Sequence, residues 1–177
     1  MIRAHYVAAA QYNAWANARL YEAAFRLPEA DYRRDVGLFF KSLHGTLNHI
    51  LVGDRIWLSR LAGESDRSYK LDAILYEAKA DLALARAEED ARIQALIDGF
   101  DEADFRAERR YARAGGAEYA QQVADILAHF FNHQTHHRGQ AHTALSILTG
   151  AEPPSLDMLQ MQRGVAAPDL RALAAAA

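Results

Sequence analysis

What most restricts the fold of this chain is where it can be interrupted. Its four prolines stand at positions 28, 153, 154 and 168, so the stretch between Pro28 and Pro153 is free of the residue that breaks helices most severely. Half of the residues are apolar, many of them alanine, and glycine is sparse at 10 in 177. That balance favours helix over sheet, in a chain of a length suited to one domain.

Four long helices are expected. Ile2 to Arg26 carries Tyr6, Ala10, Asn13, Trp15 and Leu20 at helical spacing, and Pro28 ends it or starts a new turn. Asp31 to Gly37 reads as a loop or short turn. Ser42 is a candidate N-cap for a second helix through Leu47, Ile50, Ile56 and Trp57 to Gly63. A polar loop, Glu64 to Lys70, precedes a third helix from about Ile74 to Phe100, which pairs Glu88 with Arg92 one turn on. Arg109 to Arg113 and Ala117 to Ala120 flank Gly115-Gly116 and suggest a small β-hairpin. The fourth helix runs from Gln121 to Leu148, with Asp125 in its first turn and Gly150 as its C-cap. Ser155 to Gln162 is expected to fold back on the bundle. The fold class is therefore all-α, a four-helix bundle with a small hairpin between helices three and four. Residues 1–165 form its single domain, and 166–177 a loosely ordered tail poor in large apolar groups.

Composition excludes several chemistries. With no cysteine, disulfides, thiolate-bound metals and a protein thiol nucleophile are all absent, and any thiol would come from outside. A formal net charge of −3 gives no general attraction to nucleic acid or an anionic membrane. The local basic run Arg106, Arg109, Arg110 and Arg113 reads as a solvated edge before a phosphate-binding patch. No signal pattern or membrane-length apolar run is present, so a cytoplasmic location is expected. Phosphate loops and the Gly-x-Ser-x-Gly elbow are missing.

The chemistry concentrates at His129, His133, His136 and His137. His133 and His137 are four apart, so on a helix both rings leave one face and can share a metal ion. A zinc-like site normally takes at least three protein ligands. His44 or His49, on helix two, could supply the third and leave coordination positions open, as in catalytic rather than structural sites. His136 turns away by about 100°. His129 lies one turn before His133, as a fourth ligand or, preferably, as a group that supports the ligands. His5 and His142 read as ordinary histidines, and a bare His-x-x-x-His pair also arises by chance. Glu-x-x-His and His-Glu-x-x-His are both absent, which removes the carboxylate-bridged di-iron bundle and the zinc-protease helix. No acid occurs from Ile126 to Thr149, a neutral-imidazole environment suited to Zn²⁺, Ni²⁺, Co²⁺ or Fe²⁺ and not to Mg²⁺ or Ca²⁺.

Three segments carry a resemblance: Tyr12-Asn13-Ala14-Trp15-Ala16-Asn17; Leu47-Asn48-His49-Ile50-Leu51 with Asp54-Arg55-Ile56-Trp57; and Asn132-His133-Gln134-Thr135-His136-His137-Arg138-Gly139-Gln140. Together they resemble the DinB/YfiT-like superfamily of bacterial metalloenzymes over nearly the whole chain. The resemblance implies a four-helix bundle in which His49, His133 and His137 bind one divalent metal with water in the open positions, and it selects His49 over His44. It also implies a homodimer and, where activities are known, thiol-dependent transferases or isomerases that use low-molecular-weight thiols such as bacillithiol or mycothiol. The family name refers to induction by DNA damage and implies no DNA binding.

The function expected is a metal-dependent transferase or hydrolase acting on a small molecule, with zinc or nickel as the metal and a low-molecular-weight thiol as cosubstrate. A metal with three neutral ligands keeps its full charge and would acidify a bound water or thiol. Asp54, before Asn48 or Asn132, is the candidate for orienting a ligand ring. Arg138 reads as a structural pair to an acid on helix one or three, ahead of an anion contact. Gly139 is expected to permit close helix packing, and Trp15 and Trp57 to be core residues. The competing reading is a non-catalytic dimeric bundle whose metal is structural or absent. A nucleic-acid-associated sensor is disfavoured by the acidic balance.

Overall fold

The structure is a computed structural model that describes residues 1–64, 69–112 and 116–176. Four long helices dominate it: α1 (Ile2–Phe25), α3 (Leu43–Leu61), α4 (Lys79–Asp98) and α5 (Val123–Thr149). Short helices α2 (Glu29–Arg33), α6 (Met158–Gln162) and α7 (Leu170–Ala175) decorate them. α1 packs on α4 and α3 on α5, and contacts of α1 with α5 and of α3 with α4 complete the bundle. None of these helices is long and apolar enough to cross a membrane.

Local chemistry sets most of the boundaries. The Ser42 side chain accepts from the Gly45 amide at 3.1 Å and starts α3. Gly150 ends α5 at φ 64°, a left-handed conformation that glycine adopts without steric cost. Pro28 starts a new turn, the short helix α2, which runs into the segment expected as a loop or short turn. Strands β1 (Glu108–Ala112) and β2 (Glu118–Gln122) pair antiparallel with Tyr111 opposite Tyr119, and the hairpin leans on α3 and α5. Arg113 and Gly115, expected at its tip, lie outside the described residues. Arg109 donates to the Leu61 carbonyl and Arg110 pairs with Glu108 at 3.2 Å.

Three expectations are corrected. The fourth helix begins at Val123, because Gln121 and Gln122 belong to β2. The third begins at Lys79 and not near Ile74. Asn48 Oδ1 accepts from the amides of Leu75 and Tyr76, at 2.8 and 3.0 Å, and so offers that backbone a partner other than its own helix. Beyond Pro168, where little order was expected, Asp169 caps α7 by accepting from Arg171 and Ala172. Leu170 and Ala174 are buried, and α7 packs on α4. Leu173, partly buried, packs against the apolar cluster that holds Leu170 and Ala174.

The interior is layered. One apolar cluster joins Leu20, Tyr21, Leu47, Leu51, Leu82 and Leu145, and a second joins Tyr6, Leu58, Ile93, Phe105, Ile126 and Phe130. Along every long helix a buried polar stretch separates the two: Asn13 and Asn17 on α1, Asp54 on α3, Arg86 and Asp90 on α4, Gln134 and Arg138 on α5. The functional residues lie at the level of this polar layer.

Candidate metal centre

Three imidazoles converge between α3 and α5. His49 comes from the middle of α3, and His133 and His137 stand one turn apart on α5. One ring nitrogen from each lies within 4.8 Å of the others. His49 Nε2 is 3.2 Å from Nε2 of His133 and 3.2 Å from Nε2 of His137.

The opposite ring nitrogens decide what these atoms present. His49 Nδ1 is 2.7 Å from the Leu71 carbonyl oxygen, which can only accept, so the proton sits on Nδ1 and Nε2 carries a lone pair. His137 Nδ1 faces Gln140 Oε1 at 2.8 Å with the same result. Two lone pairs 3.2 Å apart cannot hydrogen-bond to one another, but a cation between them satisfies both. Nitrogens bound at about 2.0–2.1 Å to one ion, in tetrahedral to octahedral geometry, stand roughly 2.9–3.4 Å apart. The observed spacing fits.

Charge is also suitable. Burial, followed by the neighbouring His137 and His49 rings, lowers His133 to about 3. Burial lowers His137 to about 4, against the opposing bond to Gln140, and it lowers His49 too. All three are therefore neutral, the form that ligates metal, throughout the physiological range.

Packing holds the rings in place. A β-carbon on Gly53 would stand 2.8 Å from His133 Cε1, so only glycine leaves that ring its position. Phe40 stacks on His49 with ring centres 3.7 Å apart. It sits in a tight turn where Lys41 adopts φ 67°, unusual for a residue with a side chain.

A comparison with protein-family models matches the DinB family over residues 1–169. The chain belongs to the DinB family. Protein DinB of Bacillus subtilis (strain 168) is 23% identical to it over 145 residues, which cover 73% of this chain and 77% of the relative. A crystal structure of a DinB-like protein from Bacillus cereus ATCC 10987 superposes with a TM-score of 0.58 at 20% identity, covering 80% of this chain and 90% of that one, and it shows the shared fold.

Within this DinB-family chain the other expected site residues divide. His44 is not part of the cluster, because its Nε2 faces the Tyr76 carbonyl at 3.0 Å. His129 stays outside it too, packing on Trp57 with ring centres 4.9 Å apart and lying 6.0 Å from the His133 ring. Asp54 does not orient a ligand ring. It is fully buried and binds Arg86 and Gln134, while the Leu71 carbonyl and Gln140 perform the orienting. Asn48 holds the strap before α4, and Asn132 is exposed.

Arg138 is structural, but its partners on α1 are the amide oxygens of Asn13 and Asn17 rather than an acid. It also donates to Gln134 at 3.2 Å. Gly139 faces open space, so Gly53 is the glycine a close approach requires. Trp15 is core, but Trp57 is half-buried and lines a cavity beside His49 and His133.

Sequence reading missed the polar layer. Arg86 lies 2.9 Å from Asp90, which accepts from Asn13 at 3.2 Å and Asn17 at 2.9 Å. Against burial, which alone would lower it, Asp90 and Asp54 hold the Arg86 guanidinium charged. One signal was available: Arg86 and Asp90 occupy the same helical stripe as Leu82, Ile93 and Ile97, where charges are expected only if paired.

Proposed function

We propose that His49, His133 and His137 hold one divalent transition metal, zinc or nickel, and that the protein is a metal-dependent enzyme acting on a small molecule. The observation that carries the reading is that Nδ1 of His49 and of His137 each faces an acceptor oxygen, which leaves the Nε2 lone pairs directed at a common centre. A metal bound there supplies positive charge that acidifies a water or an incoming thiol and turns it into a nucleophile near neutral pH.

The chain's own groups do the rest. Leu71 and Gln140 fix the tautomers of His49 and His137. Phe40 covers one face of His49, and the cavity beside Trp57 gives a small electrophile access to the other side. No other protein group needs to be a nucleophile, consistent with a chain that lacks cysteine. The same reading takes a low-molecular-weight thiol as cosubstrate and a homodimer as the working form.

The test is metal analysis of untagged protein by mass spectrometry, with His133→Ala beside it. About one equivalent of a transition metal, lost in the variant, is expected, since a competent site saturates. Less than about 0.2 equivalents in both proteins overturns the proposal. Turnover of electrophiles with and without added thiol, before and after chelation, then separates enzyme from structural metal protein.

A further inference from the structure

His49 takes its orientation from a segment without regular structure. The Leu71 carbonyl, 2.7 Å from His49 Nδ1, belongs to residues 69–78, which form neither α-helix nor strand before α4 begins. The Leu71 side chain is 59% exposed. At such a surface a backbone carbonyl gains little by bonding an imidazole rather than water, so the bond persists only where the chain is tied down.

The tie lies a few residues on. Asn48 Oδ1 accepts from the amides of Leu75 and Tyr76 at 2.8 and 3.0 Å, and its Nδ2 donates to the carbonyls of His44 and Tyr76 at 3.1 and 3.2 Å. Backbone amides only donate, so the side-chain oxygen has to face them, and all the hydrogen-bonding capacity of this fully buried amide is spent. Two more side chains of α3 grip the same residue: His44 Nε2 lies 3.0 Å from the Tyr76 carbonyl, and Arg55 Nη2 donates to the Tyr76 hydroxyl at 2.9 Å. Leu71 itself sits inside a turn that the Ala73 amide closes on the Lys70 carbonyl at 3.0 Å, which couples its carbonyl to the anchored residues. Asn48 and His49 are neighbours on α3, so one turn of helix both presents the ligand and holds the segment that aims it.

We propose that Asn48 is a positioning residue for the metal centre: by fixing Leu75 and Tyr76 it keeps the Leu71 carbonyl on His49 Nδ1, and so keeps the Nε2 lone pair directed at the ion. Its effect on metal affinity rests on the metal reading above; its effect on the His49 tautomer does not. The proposal also gives His44 its place, as a second anchor of the same segment rather than a ligand.

Nitrogen-15 NMR of histidine-labelled, metal-free protein reads the tautomer, and competition titration reads the zinc constant, in the wild type, Asn48→Ala and Ile93→Ala. Ile93 is buried in one apolar cluster, whereas Leu75 and Tyr76 pack against the other, so its truncation controls for lost stability. Wild-type His49 should show a protonated Nδ1 and a bare Nε2. In Asn48→Ala its two nitrogen resonances should move toward one another as the tautomers mix, and zinc affinity should fall by about three- to tenfold. Ile93→Ala should leave the resonances in place and the zinc constant within about twofold. Asn48→Ser, which keeps a hydroxyl in the pocket, is read in the same way if the alanine chain does not fold. With zinc bound by the wild type, either reading unmoved in the Asn48 variant overturns the proposal and leaves the metal reading standing. Changes of the same size in Ile93→Ala overturn it as well, for then lost stability is the cause. A wild type that takes up no zinc removes the metal reading, and the His49 resonances alone then decide the role of Asn48.

Discussion

Gln134 donates its side-chain amide to the buried carboxylate of Asp54, one position past His133 on α5 and one past Gly53 on α3. The imidazole cluster and the polar layer are thus two faces of the same turns. Successive residues on a helix diverge by about 100°, so His133 and His137 face the site while Gln134 and Arg138 reach into the bundle. The layer fixes the rotation and height of α5 against α3 and α1, and with them the ring positions.

Removing one charge from this layer should be costly. Asp54→Ala leaves Arg86 with Asp90 as its remaining acid, and stability should fall by about 3–5 kcal/mol in urea unfolding of the metal-free protein. A loss under about 1 kcal/mol would mean that water replaces the carboxylate without penalty.

The two glycines beside the site should respond in opposite ways. Gly139→Ala adds a methyl to open space on a helix and should stabilise by up to about 1 kcal/mol, with metal affinity unchanged. Gly53→Ala gains the same propensity but displaces the His133 ring and should lower zinc affinity by about 10- to 100-fold, the scale on which misoriented ligands act. Thermal melts and competition titrations of both variants check the contrast. Equal affinities would show that the ring finds another ligating pose.

Gln140→Leu removes the acceptor at 2.8 Å from His137 Nδ1 while keeping similar bulk. Metal affinity should drop by about tenfold or more with little change in the metal-free melting temperature. An unchanged zinc constant would mean that water or the exposed solvent side fixes the tautomer equally well.

Acid should destabilise the metal-free protein early. The unfolded histidines titrate near about 6.5, whereas burial holds His133 and His137 at about 3 and about 4 in the folded state. Between these values the unfolded chain binds more protons at these two sites, so their contribution to stability is complete above about pH 6.5 and is lost as pH falls toward 4, outweighing an opposite and smaller contribution from Asp54, whose carboxyl burial raises to about 7. Zinc affinity should be nearly flat from about pH 8 to 6.5, since folded imidazoles have no proton to release there. Melting temperatures of the metal-free protein from about pH 8 to 4, and zinc competition titrations from about pH 8 to 6.5, measure the two.

How much of this was legible depended on how local each cause is. Ser42 and Gly150 bound their helices through contacts three or four residues away, and the hairpin followed from turn residues between short β-prone runs. His133 and His137 were marked as a candidate pair by their spacing, which chance also produces. His49 was not: spacing left it level with His44, and the resemblance singled it out. The start of α4 and the docking of α7 were misjudged because Asn48 and the α4 surface, distant in sequence, supply the deciding contacts.

By itself, then, the order of residues determined an all-α bundle, its caps and the i, i+4 histidine pair, because helix propensity, capping and apolar periodicity act within a few residues. Tertiary structure alone decided that Asp54 serves Arg86 and not a ligand, that Gly53 rather than Gly139 makes room, and that Trp57 faces a cavity. Each of these depends on which helices become neighbours and at what rotation. That is set by the sum of many weak packing contacts and by burial of a few charges, and neither is written in any single stretch of chain.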